Sequence, residues 1–102
     1  MKNTNVLNIE TNLFLKNNII IHPNTGYDLG ILNNSTHVKI FANTSIDAFR
    51  IADKYFVEGD IILENKCRQD NIQLSKKYWN SIGKPEKIRL FYEDNKILIS
   101  NI

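Results

Sequence analysis

Asn71-Ile72-Gln73-Leu74-Ser75-Lys76-Lys77-Tyr78-Trp79-Asn80-Ser81-Ile82-Gly83-Lys84-Pro85-Glu86-Lys87-Ile88-Arg89-Leu90-Phe91-Tyr92-Glu93-Asp94-Asn95-Lys96-Ile97-Leu98-Ile99-Ser100 holds the densest local signals in this chain of 102 residues. Ile72 and Leu74 alternate with polar residues, as in a strand with one buried face. Ser75 can accept a hydrogen bond from an unpaired amide of a first helical turn. Leu74 and Trp79 stand at the spacing of a hydrophobic staple. Gly83 and Pro85 stop the helix, since glycine takes a left-handed cap and proline cannot continue the ladder. Two further runs, Lys87 to Glu93 and Lys96 to Ser100, flank Asp94-Asn95, two residues that tolerate positive φ in a tight hairpin. The predicted order is strand, short helix, hairpin.

That order resembles the swapped-hairpin family of AbrB- and MazE-like regulators and antitoxins. The matching residues are Ile72, Leu74, Ile82, Gly83, Pro85, Ile88, Leu90, Glu93, Asp94, Asn95, Ile97 and Ile99. They cover about a third of the chain. Ser75 stands where the family usually has proline, and Asn71 and Trp79 fall near positions where it often has arginine. The resemblance implies that hairpins of two chains interleave in a homodimer, and that the unit binds duplex DNA.

Outward from this stretch, the chain is ordinary in composition: 42% hydrophobic, 24% charged, net charge +2. So small a charge does not itself argue for a nucleic-acid partner. Its distribution is uneven, with net −1 over residues 1–70 and +3 over residues 71–102. No apolar run is long enough to cross a bilayer, and the start lacks a secretory pattern. The single cysteine, Cys67, has no partner for an internal disulfide, which suits a reducing cytoplasm. Fifteen Asn and sixteen Ile against four Gly and two Pro point to an AT-rich genome, bacterial or phage.

In chain order, Met1 to Asn5 reads as frayed. Val6 to Ile9, Leu13 to Leu15 and Ile19 to Ile21 read as consecutive strands, with Asn17-Asn18 as a hairpin turn. His22 to Gly26 is a loop by composition, and His37 to Ala42 alternates as a strand. A helix is predicted over 44–57, with Thr44 and Asp47 at capping-box spacing and Ala48, Phe49, Ala52 and Phe56 on one face. Glu58-Gly59-Asp60 turns into a strand, Ile61 to Leu63, and Glu64 to Asp70 is a linker carrying an incidental thiol. The expected fold is α+β: a small, mostly antiparallel sheet with two helices, divided into a β-rich unit with one helix (1–66) and the strand-helix-hairpin unit (67–102).

Nothing in this pattern assembles a catalytic set. Cys67 with His22 or His37 is the one available nucleophile and base, without an elbow or orienting group. No close Cys or His pairs preorganise a metal, and no glycine-rich loop cradles a phosphate, so no cofactor is expected. Binding is left. Lys76 and Lys77 oppose the dipole of the helix they begin, so they are either solvated or turned toward an external anion. Lys87 and Arg89 add charge on the hairpin, and Gln73, Asn80 and Arg89 can make paired hydrogen bonds to base edges. Two functions are open: a small cytoplasmic DNA-binding regulator or antitoxin-like protein, and a phage or mobile-element protein that inhibits a host protein through an acidic surface.

Overall fold

The computed structural model describes Met1–Ile102. Its elements run β1 (Lys2–Asn3), β2 (Leu7–Thr11), β3 (Ile19–Ile21), α1 (Pro23–Asp28), β4 (Ser35–Ala42), α2 (Ile46–Ile51), β5 (Val57–Leu63), β6 (Asn71–Leu74), α3 (Lys76–Ser81), β7 (Lys87–Glu93) and β8 (Lys96–Asn101). Neighbours in the sheet are β7, β2, β6, β3, β5, β4 and β8, and β8 returns to β7, so seven strands close a barrel. β1 pairs with the far end of β7, Lys2 opposite Tyr92, while β2 pairs with its beginning, Leu7 opposite Ile88. Between them the chain breaks step at residues 4–6. There the Thr4 hydroxyl accepts the Leu90 amide at 3.1 Å and the Thr4 amide donates to the Leu90 carbonyl at 3.0 Å, so the ladder stays satisfied.

Parallel and antiparallel pairs alternate around the barrel from β2 to β8. Parallel pairs β2–β6, β3–β5 and β4–β8 are separated by antiparallel ones. Closure sends alternate residues inward. Twelve of them, including Leu7, Ile19, Ile61, Ile72, Leu74, Leu90 and Ile99, make one aliphatic core with Leu29, Ile31 and Ile82 from the connections. A second, aromatic cluster lies outside the wall, where Phe41 and Leu98 meet Phe49 of α2.

This corrects the α+β expectation. Strands take 41% of the chain and helices 18%, in three helices and not two, each of six residues. Helices of so few turns cannot form a layer, and the sheet buries its apolar face by curling on itself. The sheet is mostly antiparallel, by five pairings to three, but its pairings do not stay within the two expected units. β6 inserts between β2 and β3, so the Asn17-Asn18 hairpin does not form, and the β7–β8 hairpin spans the gap between β2 and β4. Both edges of each strand in the C-terminal unit are therefore covered by strands of the same chain.

The helix expected over 44–57 stops at Ile51. Ser45, not Thr44, caps it by accepting the Ala48 amide at 3.1 Å. Ala52 is extended and Tyr55 has φ 62°, which returns the chain to β5. Leu13 to Leu15 is a turn and not a strand. The C-terminal elements appear as expected. Ser75 accepts the Tyr78 amide at 3.0 Å, Gly83 has φ 97°, and Asp94 and Asn95 have φ 53° and 60° in the hairpin.

Candidate functional site

β2 and β6 finish, and β3 and β7 begin, at one end of the barrel. Two connections crowd that mouth: residues 12–18 and the segment 75–86 containing α3. Tyr78 and Ile82 pack into the barrel core, which fixes α3 across the opening. The Trp79 indole N–H donates to the Pro85 carbonyl at 2.7 Å and ties the helix to the segment that follows it. The 12–18 loop is held separately. Asn12 donates its amide to the Leu74 carbonyl at 2.8 Å, and the Asn18 side chain accepts the Asp60 amide at 3.0 Å. Gly59 makes room for it, because a Cβ there would overlap the Asn17 main chain.

The fold divides the six residues singled out in the sequence between two places. Lys76, Lys77 and Asn80 are exposed on α3 at the barrel mouth. Gln73, Lys87 and Arg89 lie on the outer wall, on β6 and β7, with β2 between them. Gln73 sits opposite Glu10 and Lys87 opposite Asn8, so an acid divides this wall. Arg89 is half-buried, and its Nε has no hydrogen-bond partner.

The same end holds residues that the sequence reading passed over. Lys16 and Lys84 are exposed in the connections of this mouth, as are Lys76 and Lys77, and Lys87 begins β7 at the same end. None of the five lysines enters an ion pair. The pairs of the chain use the terminal amine, His37, Arg50 and Arg68 instead. Leu13 and Phe14 stand out of the loop, 75% and 90% exposed. Reading Leu13-Phe14-Leu15 as a strand hid them; the flanking Asn12 and Lys16-Asn17-Asn18 were the loop signal.

Elsewhere, His37 lies on the outside of β4 with Nδ1 2.9 Å from Asp60 and Nε2 3.5 Å from Glu58. Its hydrogen bonds, to Asp60 first and Glu58 second, raise its pKa above the ordinary value. Ser35 donates to Asp60 at 3.3 Å and not to His37, so serine and histidine share an acid without forming a proton relay. Cys67 is not an exposed linker thiol. It is buried, with its sulfur 3.6 Å from the Asn71 carbonyl, and burial pushes its pKa up to about 11. A thiol held protonated at neutral pH is a poor nucleophile. No group of three or more His, Cys, Asp or Glu side chains is arranged to hold a metal ion. No helix is long and apolar enough to cross a membrane.

Comparison with known proteins adds nothing to this geometry. No family model, curated protein or solved structure matches the chain. The likeness to AbrB- and MazE-like units rests on the residues quoted for it.

Proposed function

We propose that this chain is a non-enzymatic binding protein that docks an acidic protein surface against the α3 end of its barrel, in the manner of a small inhibitor working in a reducing cytoplasm. The observation that carries this is the set of five exposed, unpaired lysines (Lys16, Lys76, Lys77, Lys84 and Lys87) at the end of the barrel that also carries exposed Leu13 and Phe14. Interfaces pair buried aromatic anchors with a charged rim. Phe14 supplies the anchor and the lysines the rim, which steers encounter with an acidic partner.

Duplex DNA is the second reading, and the same lysines favour it. Base readout fits it less well. α3 has six residues, Tyr78 packs into the barrel core, and Gln73 and Arg89 are half-buried on a wall and not on a projecting element. Equilibrium binding to random duplex DNA over a salt series separates the two. The inhibitor reading expects affinity weaker than about 10⁻⁴ M at physiological salt, at the weak end of non-specific binding. Micromolar affinity with a steep salt slope, flattened by about one unit per lysine reversed, would replace it with the DNA reading.

A further inference from the structure

The barrel mouth also contains a cavity, which shares Leu13, Lys16 and Lys77 with the docking surface. Its volume is about 430 Å³, within the range of small-molecule sites. Three parts of the chain wall it: Leu13, Lys16 and Asn17 of the loop, Val57 at the start of β5, and Ser75, Lys77, Tyr78 and Ser81 at α3. Leu13, Val57 and Tyr78 give it an apolar side, and Lys16 and Lys77 give it two ammonium groups without carboxylate partners. No acidic residue lines it.

We propose that this cavity binds a small amphipathic carboxylate, its apolar body against Leu13, Val57 and Tyr78 and its carboxylate between Lys16 and Lys77. Cations are disfavoured by the two lysines, and a fully apolar ligand would make no use of either ammonium group, whereas a carboxylate gains charge-assisted hydrogen bonds. Tyr78 forms hydrogen bonds only through its main chain, to Ser75 and from Ser81, which leaves its phenol free to donate. Burial pushes that phenol up to about 12, so it stays neutral beside an anion. The Ser75 hydroxyl accepts from the Tyr78 amide and keeps its own proton available to donate. The loop that closes the cavity is pinned by Asn12, Asn18 and the close approach to Gly59, so its walls are formed before a ligand arrives. The site does not depend on the macromolecular partner proposed above.

The test is an amide-resolved NMR titration of the intact chain with octanoate, set against octylamine. Octanoate is expected to give saturable shifts confined to residues 13–17, 57 and 75–81, and octylamine none there. Lys77→Glu should weaken octanoate by at least about tenfold, the worth of one charge-assisted hydrogen bond, and Lys16→Gly should weaken it similarly while keeping the left-handed backbone that Lys16 adopts (φ 54°). Lys66→Glu, exposed in the connection between β5 and β6 and outside the cavity, should leave binding within about twofold. Equal binding of octylamine, shifts confined to a second groove, lined by Phe41, Ala48, Ala52 and Tyr55 beside α2, or an unchanged affinity in Lys77→Glu would overturn the proposal. So would the absence of saturable shifts below about 10 mM octanoate, beyond even a millimolar site.

Discussion

α2 and α3 are the same size and are started the same way, by a serine whose hydroxyl accepts an amide three residues on. They are held by opposite means. α3 is fixed from beneath by Tyr78 and Ile82, which join the aliphatic core, and its lysines are left free. α2 lies on the outside of the wall and is fastened by charge. The Lys96 ammonium donates to the carbonyls of Phe49, Arg50 and Ala52 at 2.8, 2.9 and 3.1 Å, closing the C-terminal end of the helix. The same ammonium lies 5.5 Å from the Phe41 ring centre and 5.3 Å from that of Phe49, and Arg50 is paired with Glu93. The basic residues of α2 and its neighbouring strand are consumed by structure. Those of α3 are not, and that difference marks the α3 end as the one with something left to bind.

The largest expected effect tests the two anchors. Phe49→Ala removes a side chain that is fully buried between Phe41 and Leu98, and should cost about 3–5 kcal/mol in chemical denaturation. Ile82→Ala should cost about 2–5 kcal/mol. The pair differ in place: amide exchange should rise in 45–56 for the first and in 75–84 for the second. Identical exchange patterns would mean that the helices are not independently held.

Lys96→Met keeps most of the stem and removes the ammonium. Three carbonyls lose a charged donor, at a cost of about 1.5–3 kcal/mol, with exchange faster in α2 and unchanged in α3. An unaltered α2 would show that the aromatic contacts alone hold it.

Reversing Lys76 and Lys77 to Glu should change stability by less than about 0.5 kcal/mol, or raise it slightly, because acids suit the first turn of a helix. A large loss would mean that these lysines are structural, and the contrast with Lys96 would fall.

The smallest effect is in pH. Glu93 is held below the ordinary carboxylate value chiefly by its hydrogen bond to Arg50. Its contribution is therefore present above the unfolded value near 4.5 and lost as pH falls through the lower folded value. His37 works in the other direction: its contribution is present below the ordinary value of 6.5 and lost as pH rises through the raised folded value. Acidification should thus lower the amide protection factors around α2, after correction for the intrinsic pH dependence of exchange, and Glu93→Gln should abolish that loss while leaving α3 alone. Acid sensitivity centred on α3 would contradict the scheme.

Much of the local structure was legible. Ser75, Gly83 and Asp94-Asn95 each act within a few residues, and each does what its chemistry dictates. The barrel was not legible, because its decisive pairings join residues far apart. Nothing near Asn8 announces that it will lie beside Asn71, or near Ile40 that it will lie beside Ile97. Glu58-Gly59-Asp60 looked like a turn, yet it runs through the middle of β5, with the glycine required for space and not for bending. Thr44 and Asp47 fitted a capping box, but Ser45 took the role, and the helical periodicity through Phe56 came from a side chain that reaches the Phe41 ring from an extended segment. His22-Pro23 was a missed helix start, with the imidazole accepting the Asn24 amide at 3.0 Å. At the candidate site, Lys76 and Lys77 were singled out from helix chemistry and Asn80 for its ability to pair with base edges. Lys16 and Phe14 needed the mouth of the barrel to bring them near.

The insertion of β6 between β2 and β3 has a consequence for how the chain is made. During synthesis, β2 emerges early and waits with neither neighbour in place, since β6 and β7 are the last third of the chain. β3 can pair with β5 but not complete its other side. A nascent chain released at residue 70 would present these apolar strands with open edges, and the barrel closes only once residues 71–102 are available. Fast degradation of C-terminally truncated chains, with the full-length chain spared, is the expected signature in the cell.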